Sequence, residues 1–125
     1  VLAILTVFGA AADPEGVQET IDRQLSAFLE DDFETAFTFA SPALRQYFQT
    51  PENFRSMVTQ GYPMVWRPGS VEYLDHRSEG GVVWQNVQIT DQKGVTHLLE
   101  YRMIPIEGGW RISGVRILET SDFSV

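Results

Sequence analysis

The apolar residues of this chain keep two different rhythms, one helical and one alternating. Val17, Ile21, Leu25, Phe28 and Leu29 recur at spacings of three to four, while Glu19, Asp22, Arg23, Ser26 and Glu30 fall elsewhere around the wheel, which predicts a helix with one buried and one wet face. Asp13-Pro14 opens it, since an aspartate accepts from the free amides of a helix start and proline at the first helical position forfeits no hydrogen bond. Asp31-Asp32 breaks that helix and caps a short second one through Phe33, Ala36, Phe37 and Ala40. Ser41-Pro42 and Thr50-Pro51 repeat the start signal. They predict a helical turn carrying Leu44, Tyr47 and Phe48, then a helix with Phe54, Met57 and Val58 on one face, stopped by Gly61 and barred from continuing by Pro63.

From about residue 64 the period changes to two. Met64-Val65-Trp66-Arg67 reads as a short edge segment ended by Pro68-Gly69, and strands are expected at 70–77, 82–90, 95–106 and 110–119. Ser78-Glu79-Gly80-Gly81, Asp91-Gln92-Lys93-Gly94 and Glu107-Gly108-Gly109 separate them, and connections this short force antiparallel neighbours. Helices followed by hairpin-linked strands predict an α+β domain, with the N-terminal helices packed on one face of a curved antiparallel, cone-like sheet.

Composition narrows the chemistry. The 125 residues suit one domain (13–125) with one core, and no cysteine is present for disulfides, thiol catalysis or cysteine-ligated zinc. The net charge is −8, with nine acids against three bases in residues 1–62 and eight against six in 63–125. The basic residues are scattered singly, so no stripe exists to neutralise a run of phosphates, and nucleic acid is not an expected partner. The Asp31-Asp32 pair lacks the ligand ladder and closing glutamate of a calcium loop. His76 and His97 are the only histidines and have no helical ligand spacing, so neither a metal nor another cofactor is expected.

Residues 1–8 are apolar except for Thr6 and run into Gly9-Ala10-Ala11-Ala12 before Asp13-Pro14. Ala10 and Ala12 fall at the −3 and −1 positions of a cut before Asp13, so residues 1–12 read as a signal-peptide remnant of an exported, periplasmic protein. The alternative is an ordinary N-terminal strand or helix of the fold, because a short apolar run is ambiguous by period alone. No run approaches the length needed to span a bilayer.

Several pieces, taken in order, carry a family likeness. Asp31-Asp32-Phe33 with Ala36-Phe37, Phe39-Ala40-Ser41-Pro42, Met57-Val58, Tyr62-Pro63, Gln85-Asn86-Val87 with Asp91 and Gly94, Tyr101, and the closing Trp110-Arg111-Ile112-Ser113-Gly114-Val115 make up the set. It resembles a bacterial family defined only as domain of unknown function 4864, within the nuclear transport factor 2-like (cystatin-like) superfamily, over about residues 15–120. The resemblance implies a cone-shaped fold with a pocket between sheet and helices, and often a dimer. It implies no activity, because that superfamily holds isomerases, dehydratases, hydrolases, transport adaptors and non-catalytic domains.

Alternation supplies pocket candidates, since residues two apart share a sheet face. Gln85 joins Val83, Val87 and Ile89; His97 and Tyr101 join Val95, Leu99 and Met103; Asp75 joins Val71 and Tyr73. If these rows point inward, Asp75, Gln85, His97 and Tyr101 converge with Tyr47 and Tyr62 on a mostly aromatic cavity. A single bulge, expected at Gly114 or beside Gly94, would reverse the facing of everything beyond it. For each residue a structural role stands beside the functional one: Gln85 as an amide serving backbone groups, His97 as a strand-end residue near the Asp91 turn, Tyr101 as a packing residue, Asp75 as a solvated strand end.

Three readings of function result. The first is an exported non-catalytic domain holding a small apolar ligand or a peptide in its cavity. The second is an isomerase- or dehydratase-like enzyme with Asp75 or His97 as general base and Tyr101 or Tyr47 polarising a carbonyl. That chemistry needs the base inside the pocket, and fails if both candidates are remote from any cavity. The third is a homodimeric interaction module using an outer apolar row of Trp84, Leu98, Ile104 and Ile106.

Overall fold

Side-chain caps set where the helices begin. In the computed structural model, which describes residues 14–121, Asp32, Ser41 and Thr50 each accept the amide three residues on (Thr35, Leu44 and Asn53), and Pro42 and Pro51 follow their caps directly. The elements are α1 (Pro14–Leu29), α2 (Phe33–Thr38), α3 (Pro42–Phe48), α4 (Pro51–Gly61) and α5 (Pro63–Trp66), then β1 (Pro68–Glu79), β2 (Val82–Asp91), β3 (Thr96–Ile106) and β4 (Gly109–Ser121). The expected signal remnant at 1–12 and the Asp13 cap lie outside the described residues. The expected edge segment at 64–67 is instead the one-turn helix α5, with Met64 and Val65 buried. Pro63 occupies its first turn, as Pro42 and Pro51 do in theirs.

The four strands form one curved, unclosed antiparallel sheet in the order β1-β2-β3-β4, with the helices against one face, so the fold is α+β. Gly80 and Gly81 join β1 to β2 with φ of 61° and 84°, the paired positive angles of a tight hairpin turn that only glycine adopts freely. Val83, Val87, Ile89, Leu99, Tyr101, Met103, Trp110 and Ile112 meet Val17, Ile21, Leu25, Phe28, Phe54 and Val58 in a single core. Trp84, Leu98, Ile104 and Ile106 do lie on the outer face, but half-buried. The Arg77 guanidinium lies 4.1 Å from the Trp84 ring and Arg116 pairs with Glu100, so charge interrupts that row.

Two features fix the space beneath the helices. The link between α2 and α3 is sewn to β4, because Ser41 donates its amide to the Ile112 carbonyl and Ile112 donates to Phe39, both at 2.8 Å. The sheet is also bulged. Between Tyr73 and His76, β1 carries two residues opposite the single Asn86 of β2, and β4 slips at Ser113-Gly114, where glycine signalled it, and again at Leu118.

Candidate functional site

An open apolar cavity of about 360 Å³ lies between the helices and the bulged stretch of β4. Its wall is assembled from every helix but α2. α1 supplies Gln24 and Phe28; α3 supplies Leu44, Tyr47 and Phe48; α4 supplies Phe54, Met57 and Val58; Tyr62 and Val65 close the far side and Ile112, Gly114 and Val115 form the floor. Phe54 is the hub, with the rings of Phe28, Phe37 and Phe48 at 5.8, 5.2 and 5.7 Å. No charged side chain borders the cavity among the described residues.

The six expected site residues do not converge. Tyr47 and Tyr62 border the cavity. Tyr47 stands at the mouth, 77% exposed, with its ring edge-on to Phe48, while the Tyr62 hydroxyl donates to the Val115 carbonyl at 2.9 Å and fastens the α4–α5 junction to the floor. Asp75, Gln85, His97 and Tyr101 do not border it, for three separate reasons.

The bulge in β1 turns Asp75 away. The row that begins inward with Val71 and Tyr73 is broken after Tyr73, and Asp75 is exposed with His76, Arg77, Trp84, Asn86 and Glu100 around a shallow hollow. Gln85 serves that bulge. It is fully buried, and its Nε2 donates to the carbonyls of Leu74 and Asn86 at 2.9 Å and to Asp75 at 3.4 Å, serving backbone acceptors on both strands at the irregular register. Tyr101, opposite Gln85 across the β2–β3 ladder, is buried beneath the helices. Burial pushes its phenol well above the ordinary range, with a smaller push from Tyr62, so it stays protonated.

His97 belongs to a turn-closing cluster at the other end of the sheet. Asp91 accepts the amides of Lys93 and Val95 on Oδ1 at 2.9 and 3.0 Å, and its Oδ2 lies 3.0 Å from His97 Nε2. A carboxylate only accepts, so Nε2 carries a proton, while Nδ1 faces the Thr120 hydroxyl at 3.1 Å and ties in the end of β4. The order acid, imidazole, hydroxyl is that of hydrolytic triads, but these three hold the β2–β3 turn to β4 away from the cavity.

The cluster has a measurable pH signature. The His97 hydrogen bond holds Asp91 below the ordinary carboxylate range; burial opposes it, and the Val95 and Lys93 amides add to the lowering. Trp66 and Arg67 lower Asp31 in the same way, as Thr35 lowers Asp32. A depressed folded-state value contributes stability that is present above the unfolded value, near pH 4, and is lost as the pH falls through the folded one. In thermal melts across the acid range, Asp91→Asn should be less stable than the parent near neutrality, with the gap narrowing below about pH 4. A gap that stays constant would contradict this origin.

Gln24 is the cavity residue that the sequence pattern should have flagged. It sits three residues after Ile21 and four before Phe28, on the apolar stripe of α1, yet it is polar and only 4% exposed. Its Nε2 donates to the Ala36 carbonyl at 3.1 Å. Among the described residues, no group of three or more His, Asp or Glu side chains is placed to hold a metal ion, and no helix is long and apolar enough to cross a membrane.

No curated protein matches the chain. One family model does, over residues 10–125, and a match spanning almost all of the sequence means that the chain belongs to the family described as Domain of unknown function (DUF4864).

Proposed function

We propose that this domain is a non-catalytic holder of a small apolar molecule, lodged between the helices and the bulged end of β4. The observation that carries the reading is the cavity itself: about 360 Å³, walled by aromatic and aliphatic side chains, with polar atoms on three of them (Gln24, Tyr47 and Tyr62) and no charge, at the lower end of the size range of small-molecule pockets. The proton-transfer alternative draws no support from placement, since Asp75 and His97 both lie off the cavity and no carboxylate or imidazole borders it among the described residues. The apolar-to-small pattern of residues 1–12 supports export to the periplasm, and the ordered motifs with the helices-on-curved-sheet fold support a place in the nuclear transport factor 2-like superfamily.

Titration with the uncharged dye N-phenyl-1-naphthylamine tests this, because its fluorescence rises in apolar surroundings. The parent should show saturable binding at one site, in the micromolar range. Leu44→Trp puts an indole into the cavity and should weaken binding by about tenfold or more while the protein still melts cooperatively. Unchanged dye affinity in a folded Leu44→Trp protein would contradict the proposal.

A further inference from the structure

The cavity's few polar atoms are nearly all of one kind. Gln24 Nε2 donates to the Ala36 carbonyl, which fixes the amide's orientation, since the reverse would set oxygen against oxygen. Its Oε1 is left with no donor among the described residues, on a side chain that is 4% exposed and forms part of the wall. Tyr62 has committed its proton to the Val115 carbonyl, so its oxygen can only accept. Apart from the Tyr47 hydroxyl at the exposed mouth, the side-chain donor that remains among the described wall residues is the second Nε2 proton of Gln24.

From this pattern we infer that the occupant is an uncharged apolar molecule bearing a hydroxyl, whose proton goes to Gln24 Oε1. The inference rests on the cavity reading and specifies the ligand class. A hydroxyl fills both open positions at Gln24, donating to Oε1 and accepting from Nε2. An ether or ketone only accepts, and would cover Oε1 without offering it a donor. A carboxylate would meet two acceptors and no cation, and would lose its hydration for nothing in return. The absence of any charged wall residue among those described and the buried amide on an otherwise apolar helix stripe point the same way. A leucine at position 24 would continue that stripe and would present no polar atom to the cavity.

Calorimetric titration with naphthalene, 2-naphthol and 2-methoxynaphthalene tests the assignment. The parent should bind 2-naphthol about tenfold or more tighter than 2-methoxynaphthalene. Gln24→Leu shortens the side chain by one atom but keeps it apolar on the apolar stripe of α1, and leaves the Ala36 carbonyl paired with the Phe39 amide at 3.2 Å, so the variant should fold. It should still bind naphthalene and lose the preference for the naphthol. Equal affinities in the parent, or a preference that survives Gln24→Leu and so reflects the bulk of the methyl group, would overturn the hydroxyl assignment and leave the cavity reading standing. Failure of all three compounds to bind would overturn both.

Discussion

Gln85→Glu should destabilise the protein by about 4 kcal/mol near neutral pH, although the two side chains have the same shape. The exchange replaces the one nitrogen that faces the carbonyls of Leu74, Asp75 and Asn86 with an oxygen, and places a charge at a fully buried position. Desolvation and the facing carbonyls would raise the new carboxyl's folded-state pKa above its unfolded value near 4.3. The penalty is therefore greatest above the folded value and eases as the pH falls, because a protonated acid restores one donor. Denaturant melts at neutral and acid pH would show the variant gaining on the parent as the pH drops. A loss below about 1 kcal/mol at pH 7 would mean that Gln85 does not sustain the bulge.

Phe54→Ala should cost about 3–5 kcal/mol. Phe54 is 4% exposed and stands against three other phenylalanine rings, so its removal joins new empty volume to the existing cavity and takes packing from Phe28, Phe37 and Phe48 together. Because Phe54 also forms part of the wall, part of the loss should be recovered by an apolar ligand large enough to fill the added space, which would appear as a larger ligand-induced rise in melting temperature than in the parent. A loss under 1 kcal/mol would show that the helices close over the gap, and that the cavity is not held open by a rigid aromatic cluster.

Local chemistry made most of the architecture legible. Ser41-Pro42 and Thr50-Pro51 announce helix starts because cap and proline act within one turn, and Gly80-Gly81 announces a hairpin because both residues need positive φ. Pro63 carries the same helix signal, but the three apolar residues after it, Met64, Val65 and Trp66, fit a strand as well as a helix, so the pattern alone does not separate α5 from an edge segment. The site was less legible because it depends on facing. The β1 bulge at Leu74-Asp75 has no glycine or proline to mark it; it is stabilised by an amide eleven residues away, and it alone turns Asp75 outward. His97 did point inward, but to a turn that needed it. Gln24 is hard to read from the pattern because a glutamine on a helix is by default a wet residue, whereas its spacing from Ile21 and Phe28 places it among the core positions.

The central claim is an apolar interior that accepts a guest, and amide NMR during titration with naphthalene tests it most directly. The account predicts saturable shifts concentrated on Leu44, Tyr62, Val65, Gly114 and Val115 around the cavity, with the outer-face residues Trp84 and Leu98 unmoved. Shifts centred on Trp84 and Leu98, or none that saturate, would contradict it.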